Sequence, residues 1–357
     1  MGVRATLGAD ARLRSEVALP MVSFIAKRLF QGLFVLLGIS LLIFIIARIV
    51  PGDPARMSLG PRAPQFAVDE LRREMHLDQP LPIQYLYWFK GILRGDFGRS
   101  INTKRPVIQD IAEFLPATLE LAVLAGTMFI AMAIVLGTLA ARHRDSFIDG
   151  AIRGLSYSGI AVPAFVMSVL LLLLFGGVWR VIPVLGRSSA GIDPPSPVTG
   201  FLTIDSLLRG NVAAFFDAFL HLLLPAAALA IGPLFQEARI LRASLTDNMG
   251  KEYIAVATGY GIPRRVIMGR HLFKPSFIPV VSVMGLDFAS LMGNAFLVER
   301  IFNWPGISRY GINAMLNKDL NAISAVIIVF GAIFLVVNIV VDIIVASLDP
   351  RIRLGGK

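Results

Sequence analysis

Six apolar runs of membrane length divide this chain: Leu29–Val50, Leu121–Ala141, Leu155–Val178, Phe219–Phe235, Phe277–Val298 and Ile323–Ala346. About 20 apolar residues of α-helix cross the hydrocarbon core of a bilayer, and the shortest run reaches across with tilt or flanking residues. Within lipid every backbone N–H and C=O must be satisfied inside the segment. The chain is therefore constrained to an all-α integral membrane fold of six transmembrane helices. Composition points the same way, because 55% of its 357 residues are hydrophobic and only 16% charged, too apolar for a soluble protein of this size.

An even number of spans places both termini on one side. Arg4, Arg12, Arg14, Lys27, Arg28, Arg142, Arg144, Arg153, the bases between Arg239 and Lys274, and Arg351, Arg353 and Lys357 share that side. The opposite short loops hold only Arg180, Arg187, Arg209, Arg300, Arg309 and Lys318. The excess of bases marks the cytoplasm, so both termini are expected there. Residues 1–28 read as a cytoplasmic segment without regular structure, in which Met21 is an alternative start. The first run reads as an uncleaved span, since it ends in Pro51-Gly52-Asp53-Pro54 and not in a small-residue cleavage site. Residues 51–115 form an outer loop, with helical apolar spacing over Asp69–Met75 and Ile83–Leu93. Arg48 and Glu120 sit near enough to the interface to snorkel and carry no further weight here. Residues 349–357 form a cytoplasmic tail.

A polar, basic island, residues 252–275, interrupts the apolar pattern. Ala255, Ala257, Gly259 and Gly261 let another backbone approach closely, and Pro263 suits the first turn of a new short helix. Ile262, Val266, Gly269 and Phe273 then form a narrow apolar stripe among Arg264, Arg265, Arg270 and Lys274. With Glu252 and His271 this segment is the candidate docking surface for a soluble partner; its alternative is a linker lying on anionic lipid. Small residues recur every fourth position at Ala133, Gly137 and Ala141, and again at Gly285, Ala289 and Gly293, a spacing that lets helices pack backbone to backbone. Pro163, Pro225 and Pro233 mark kinks inside spans.

Ionisable residues within spans are functional candidates. Asp287 lies near the middle of the fifth span with Asn294 close in sequence, a pathway or helix-packing candidate, and Asp342 lies toward the end of the sixth with Asn338. Other chemistry is missing from the chain. The net charge of +10 is dispersed between apolar runs, which argues against nucleic acid as a partner. No phosphate-binding Gly-x-x-x-x-Gly-Lys-Ser/Thr loop and no nucleophile elbow occurs. His76, His143, His221 and His271 are scattered, and there is no cysteine. No catalytic residue, metal site or cofactor is expected, and any ATP must be bound by another subunit.

Taken in order, the motifs resemble those of the permease subunits of binding-protein-dependent, ATP-driven (ABC) importers, specifically the first permease of dipeptide, oligopeptide and nickel systems. The resemblance rests on Ile25-Ala26-Lys27-Arg28-Leu29, Pro51-Gly52-Asp53-Pro54, Gly95-Asp96-Phe97-Gly98-Arg99-Ser100 and Leu115-Pro116-Ala117-Thr118-Leu119-Glu120-Leu121. It continues through Pro275 to Gly285, Val298-Glu299, Phe302-Asn303-Trp304-Pro305-Gly306, Val341-Asp342 and Asp349-Pro350-Arg351-Ile352-Arg353. It implies one N-terminal helix followed by a five-helix type I importer core over 116–348, in a bacterial inner membrane. The implied partners are a second homologous permease, two ATP-binding subunits and an extracytoplasmic solute-binding protein, besides the lipid bilayer. The family's coupling motif would align its glycine with Gly261 and its glutamate with Ala255, so that carboxylate is absent here. A rival from another class is an autonomous secondary transporter with Asp287 as its proton or cation site.

Overall fold

A computed structural model of the protein describes residues 3–49, 53–60 and 62–348, with side chains described from Ile25 onward. Helix α1 runs Val3–Ile49, and its membrane-length part is Ile25–Arg48. The polar N-terminal stretch is thus helical from Val3, where the sequence suggested no regular structure; its Ala, Leu, Arg and Glu content favours helix without apolar periodicity. The segment after α1 forms α2 (Pro54–Leu59), α3 (Gln65–Glu74) and α4 (Leu81–Leu93). Helix α4 rests on α1: Tyr85 and Ser40 share a 2.8 Å hydrogen bond, and Phe44 meets the rings of Tyr85 and Trp88.

The core begins with α5 (Val107–Arg142), well before Pro116, which it includes. Next come α6 (Phe147–Ala161) and α7 (Ala164–Leu172), the latter continued by a π-helical turn, Leu173–Trp179. The third run is therefore not the single span Leu155–Val178: α6 and the helix after it meet at 102°. Pro163 causes the break. The residue before a proline is driven out of the α region, and Val162 is extended at φ −90°, ψ 115°. By contrast α9 (Val212–Met249), which follows the short α8 (Leu202–Leu208), passes through Pro225 and Pro233 without interruption.

Helix α10 (Glu252–Gly259) and α11 (Arg264–Val266) lead through a π-helical turn, Ile267–Phe273, into α12 (Lys274–Ile301). The short helix expected after Pro263 is thus the start of the fifth span, one rod from Arg264 to Ile301. Pro275 lacks the N–H that an α-turn would use, and the wider i→i+5 turn just before it takes up its ring. Helices α13 (Ile307–Leu316) and α14 (Leu320–Leu348) complete the described chain. Among the described residues five helices are long and apolar enough to cross a membrane, and six spans result when the bent pair counts as one.

Helices α5 and α9 form the principal pair at the centre of the core. The ladder Ala133, Gly137, Ala141 lies in that contact: all three are buried, and a Cβ on Gly137 would stand 2.8 Å from the Ala238 carbonyl. The second ladder divides. Gly285 abuts Val341 of α14 and Ala289 is buried, whereas Gly293 is exposed with open space before it. Helices α1 and α14 pack on one another at the flank, where Arg28 Nε meets Asp342 Oδ2 at 3.0 Å.

Candidate functional site

The candidate docking segment, residues 252–275, lies between the ends of α9 and α12. Its geometry is set at Gly261, whose φ of +72° is disfavoured for residues with a Cβ. The N–H of Ile262 donates to the Ala257 carbonyl at 3.1 Å and that of Gly261 to the Thr258 carbonyl at 3.0 Å, the paired bonds of a Schellman stop for α10. Pro263 then caps α11. The segment is tied down by Asn248 Nδ2, which donates to Ser276 Oγ at 2.9 Å, and by Tyr253, whose hydroxyl donates to Asn248 Oδ1 at 3.2 Å.

Ala257 faces inward and is buried, while Glu252, Ala255 and Gly259 face outward. The apolar stripe through Val266 and Gly269 is corrected: both are exposed, and the buried positions are Ile267 and Leu272, five residues apart as a π-turn requires. His271 is half-buried. What remains outside is an apolar knob, with Tyr260 84%, Val256 55% and Tyr253 41% exposed, bordered by exposed Lys251, Arg264, Arg265 and Arg270. At the same end Arg242 grips Asp149 of α6 in a two-point contact of 2.5 and 2.6 Å, joining α6 to α9. No local pattern marks that pair, because 93 residues separate its members.

Midway along the spans, the break at Val162 and Pro163 opens a cavity of about 320 Å³ against α9 and α12. Gln236, Asp287, Ser290 and Asn294 supply its polar lining, with Gly293 beside them. Gln236 Nε2 donates to Asp287 Oδ2 at 3.0 Å, the contact between neighbouring spans that the position of Asp287 suggested. Glu237, which the sequence reading passed over, lies fully buried beside the Asp287 carboxyl. Apart from the Asp287 carboxyl, with which it shares a proton, no donor among the described residues reaches its oxygens. The fourth apolar run stops at Phe235, so Glu237 looks like a polar helix end; only the continuation of α9 to Met249 buries it.

The opposite end is held by carboxylates with full sets of partners. Glu299 Oε1 accepts from the Thr118 hydroxyl at 2.5 Å and Oε2 from the Arg309 N–H at 2.9 Å, fixing the start of α13. Asp319 accepts from the Ser100 hydroxyl and the Ile101 N–H at 2.6 and 2.7 Å, which ties the segment before α5 to the core. Asp110 accepts from Thr103, Arg105 and Tyr310. Burial, reinforced by the Asp110 charge, pushes the Tyr310 hydroxyl far above its ordinary pKa and keeps it a donor. Glu120 is no snorkelling residue: it is buried, pairs with Arg187 at 2.5 Å and accepts from Thr203 at 2.6 and 2.7 Å. Arg48 stacks over Phe44 at 5.1 Å. Among the described residues no cluster of His, Asp or Glu could hold a metal ion.

Two family descriptions match this architecture. The binding-protein-dependent transport system inner membrane component matches residues 133–354, and the N-terminal part of such membrane components matches 21–122. The chain is 36% identical over 334 residues to an Escherichia coli protein named "Probable D,D-dipeptide transport system permease protein", covering 94% of this chain and 98% of that one. A dipeptide transport system permease protein of the same species is 34% identical, with 93% and 99% covered. A di/tripeptide transport system permease protein of Pseudomonas aeruginosa is 35% identical, again with 93% and 99% covered.

Proposed function

The chain belongs to the inner-membrane permeases of binding-protein-dependent transport systems, and from that membership we propose how it couples to its partners and what it carries. It is a non-catalytic, multi-pass subunit of a bacterial ABC importer, in which ATP-binding and substrate-binding proteins are separate partners alongside a second permease. An autonomous secondary transporter is thereby superseded. We assign the α10–Gly261–α11 projection as the contact for an ATP-binding subunit, with Tyr253, Val256 and Tyr260 entering a groove on it. The bases Arg264, Arg265 and Arg270 border that contact. The assignment places both termini and this projection in the cytoplasm and residues 51–106 outside. Each of two different permeases engages one of two ATP-binding subunits, and the binding protein docks on the outer segment.

The cargo follows from the relatives, three of which are named for dipeptide or di/tripeptide transport. We infer peptides of that size as substrate. The observation that carries the coupling assignment is the exposed apolar knob held on a rigid Schellman stop, since a lipid-lying linker has no need of an outward tyrosine pair on a fixed turn. Gly261→Val puts a β-branched residue at φ +72°, which costs about 1–2 kcal/mol at that residue and reorients the knob. Co-purification of the ATP-binding subunit and uptake should both fall, with permease abundance retained. Tyr260→Cys in this cysteine-free chain should resist an impermeant thiol reagent applied to intact cells; labelling from outside would overturn the orientation.

A further inference from the structure

Two carboxyl groups lie side by side at the mid-membrane cavity, and no basic side chain among the described residues pairs with either. Asp287 accepts one hydrogen bond, from Gln236, and lines the cavity. Glu237 is fully enclosed behind it, outside the cavity lining, and among the described residues the Asp287 carboxyl is the one group its oxygens meet. Adjacent carboxylates in a medium of low dielectric repel, so the pair is stable only with a positive charge or a proton between its members. A single shared proton leaves most of the acceptor capacity of the two groups unused.

The break puts two helix ends at the wall, the carbonyl end of α6 through Ile160 and Val162 and the N–H end of α7 through Ala164 and Phe165. Their partial charges are opposite and offset one another, so the charge of the site is set by its side chains. Asn294 and Ser290 add neutral polar groups. The full charge at this lining is the Asp287 carboxyl, with Glu237 behind it, and no Lys, Arg or His is among the lining residues, which disfavours a carboxylate or phosphate. A primary ammonium, with three N–H donors and a full charge, matches it.

We propose that the cavity is a substrate subsite for a primary ammonium, the free amino terminus of the peptide cargo. Asp287 receives it at the wall, and Glu237 supplies the second negative charge from behind. The identification of the amine's carrier rests on the peptide reading above; the ammonium chemistry rests on the cavity.

The test uses the complete importer, with its partner permease, ATP-binding subunits and binding protein, in proteoliposomes. Glu237→Gln and Asp287→Asn keep size and hydrogen-bonding capacity and remove charge. Uptake of alanyl-alanine per assembled complex should fall about tenfold or more in each, the scale of one lost hydrogen bond to a charged group. The half-saturating peptide concentration, set at the binding protein, should stay put. A structural role for the acids would lower the yield of complex and leave uptake per complex intact, and would overturn the proposal. On the wild-type importer, butylamine at millimolar concentration should raise the melting temperature, by binding the folded state, and N-acetyl-alanyl-alanine should not; the Asp287→Asn importer should show no shift with either. No shift in the wild type, or an equal shift in the variant, would also overturn it. A wild-type importer that takes up no dipeptide while butylamine still stabilises it would remove the peptide reading and leave the ammonium site standing.

Discussion

At the end of the bundle that carries α13, Glu299, Asp110 and Asp319 are fully buried, and each accepts from several donors. At the cavity beside Asp287, Glu237 is buried as completely and, among the described residues, has only that second carboxyl as a partner. The physical cost of enclosing a carboxyl group is the same in kind at both places. At the first it is offset by hydroxyls and backbone amides that have nowhere else to donate, so the acids act as fasteners between segments far apart in sequence. At the second, among the described residues, only a proton shared with Asp287 offsets it, and on the proposal above a cation that visits the cavity completes the balance. Burial alone therefore does not distinguish a fastener from a binding group in this protein; the count of donors does.

The comparison is most open to attack at Glu299. Glu299→Ala strands the Thr118 hydroxyl and the Arg309 N–H and leaves a void. Together these should cost about 3 kcal/mol or more. The detergent-solubilised complex should melt several degrees lower, and membrane abundance should fall. An unchanged melting temperature would mean that donor count does not mark the fasteners.

Gly306→Ala probes the same carboxylate from the other side. A Cβ there would lie 2.3 Å from Glu299 Oε1, so the acid must move off its donors, and overpacking of this kind costs about 1–3 kcal/mol. Gly293→Ala, which enters open space beside the cavity, is the matched control and should leave melting unchanged. Glu237→Met carries the comparison to its opposite pole. Replacing a buried acid whose one partner is a second carboxyl with an apolar side chain of similar length should be neutral or stabilising by about 1 kcal/mol, measured in the same melt. Damage equal to that of Glu299→Ala would show that Glu237 has a further structural partner after all.

How much of this was legible in the sequence follows from the range of each signal. Runs of about 20 apolar residues announce their helices without help, so the all-α membrane fold could be read directly. Pro163 announced a disturbance in the third run, but a bend of 102° depends on how α7 packs against α9 and α12, which no local pattern encodes. Residues 252–275 were visible as a polar island with glycines, whereas their inward and outward faces were not, since the π-turn shifts the helical period. Glu120, Glu237 and the Asp149–Arg242 pair escaped for one reason. Each is defined by a partner or a packing helix far away in the chain: 67 residues to Arg187, 51 from Gln236 to Asp287 in the acid cavity, and 93 for Asp149 with Arg242.

The smallest effect is expected at Asp205 on α8, the fastener of the loop before it. Its Oδ1 accepts from the Thr199 N–H and hydroxyl at 2.8 and 2.7 Å, and Oδ2 from the N–H groups of Gly200 and Val198 at 2.9 and 3.2 Å. Burial acts to raise its pKa, but the hydrogen bonds from Thr199, Val198 and Gly200 outweigh it and hold the carboxyl below the usual range. A folded pKa below the unfolded value, about 3.9, gives stability that is fully present above that value. It is lost as pH falls through the folded pKa. Hydrogen-exchange protection of the Thr199 and Gly200 amides should accordingly be flat from neutral pH down to about 4 and decline below it. Asp205→Asn, with one acceptor oxygen in place of two, should show reduced protection already at neutral pH and no further step in the acid range. If the variant matched the wild type at every pH, the four donors would be idle, and donor count would fail as the mark of a fastener where the geometry is most complete.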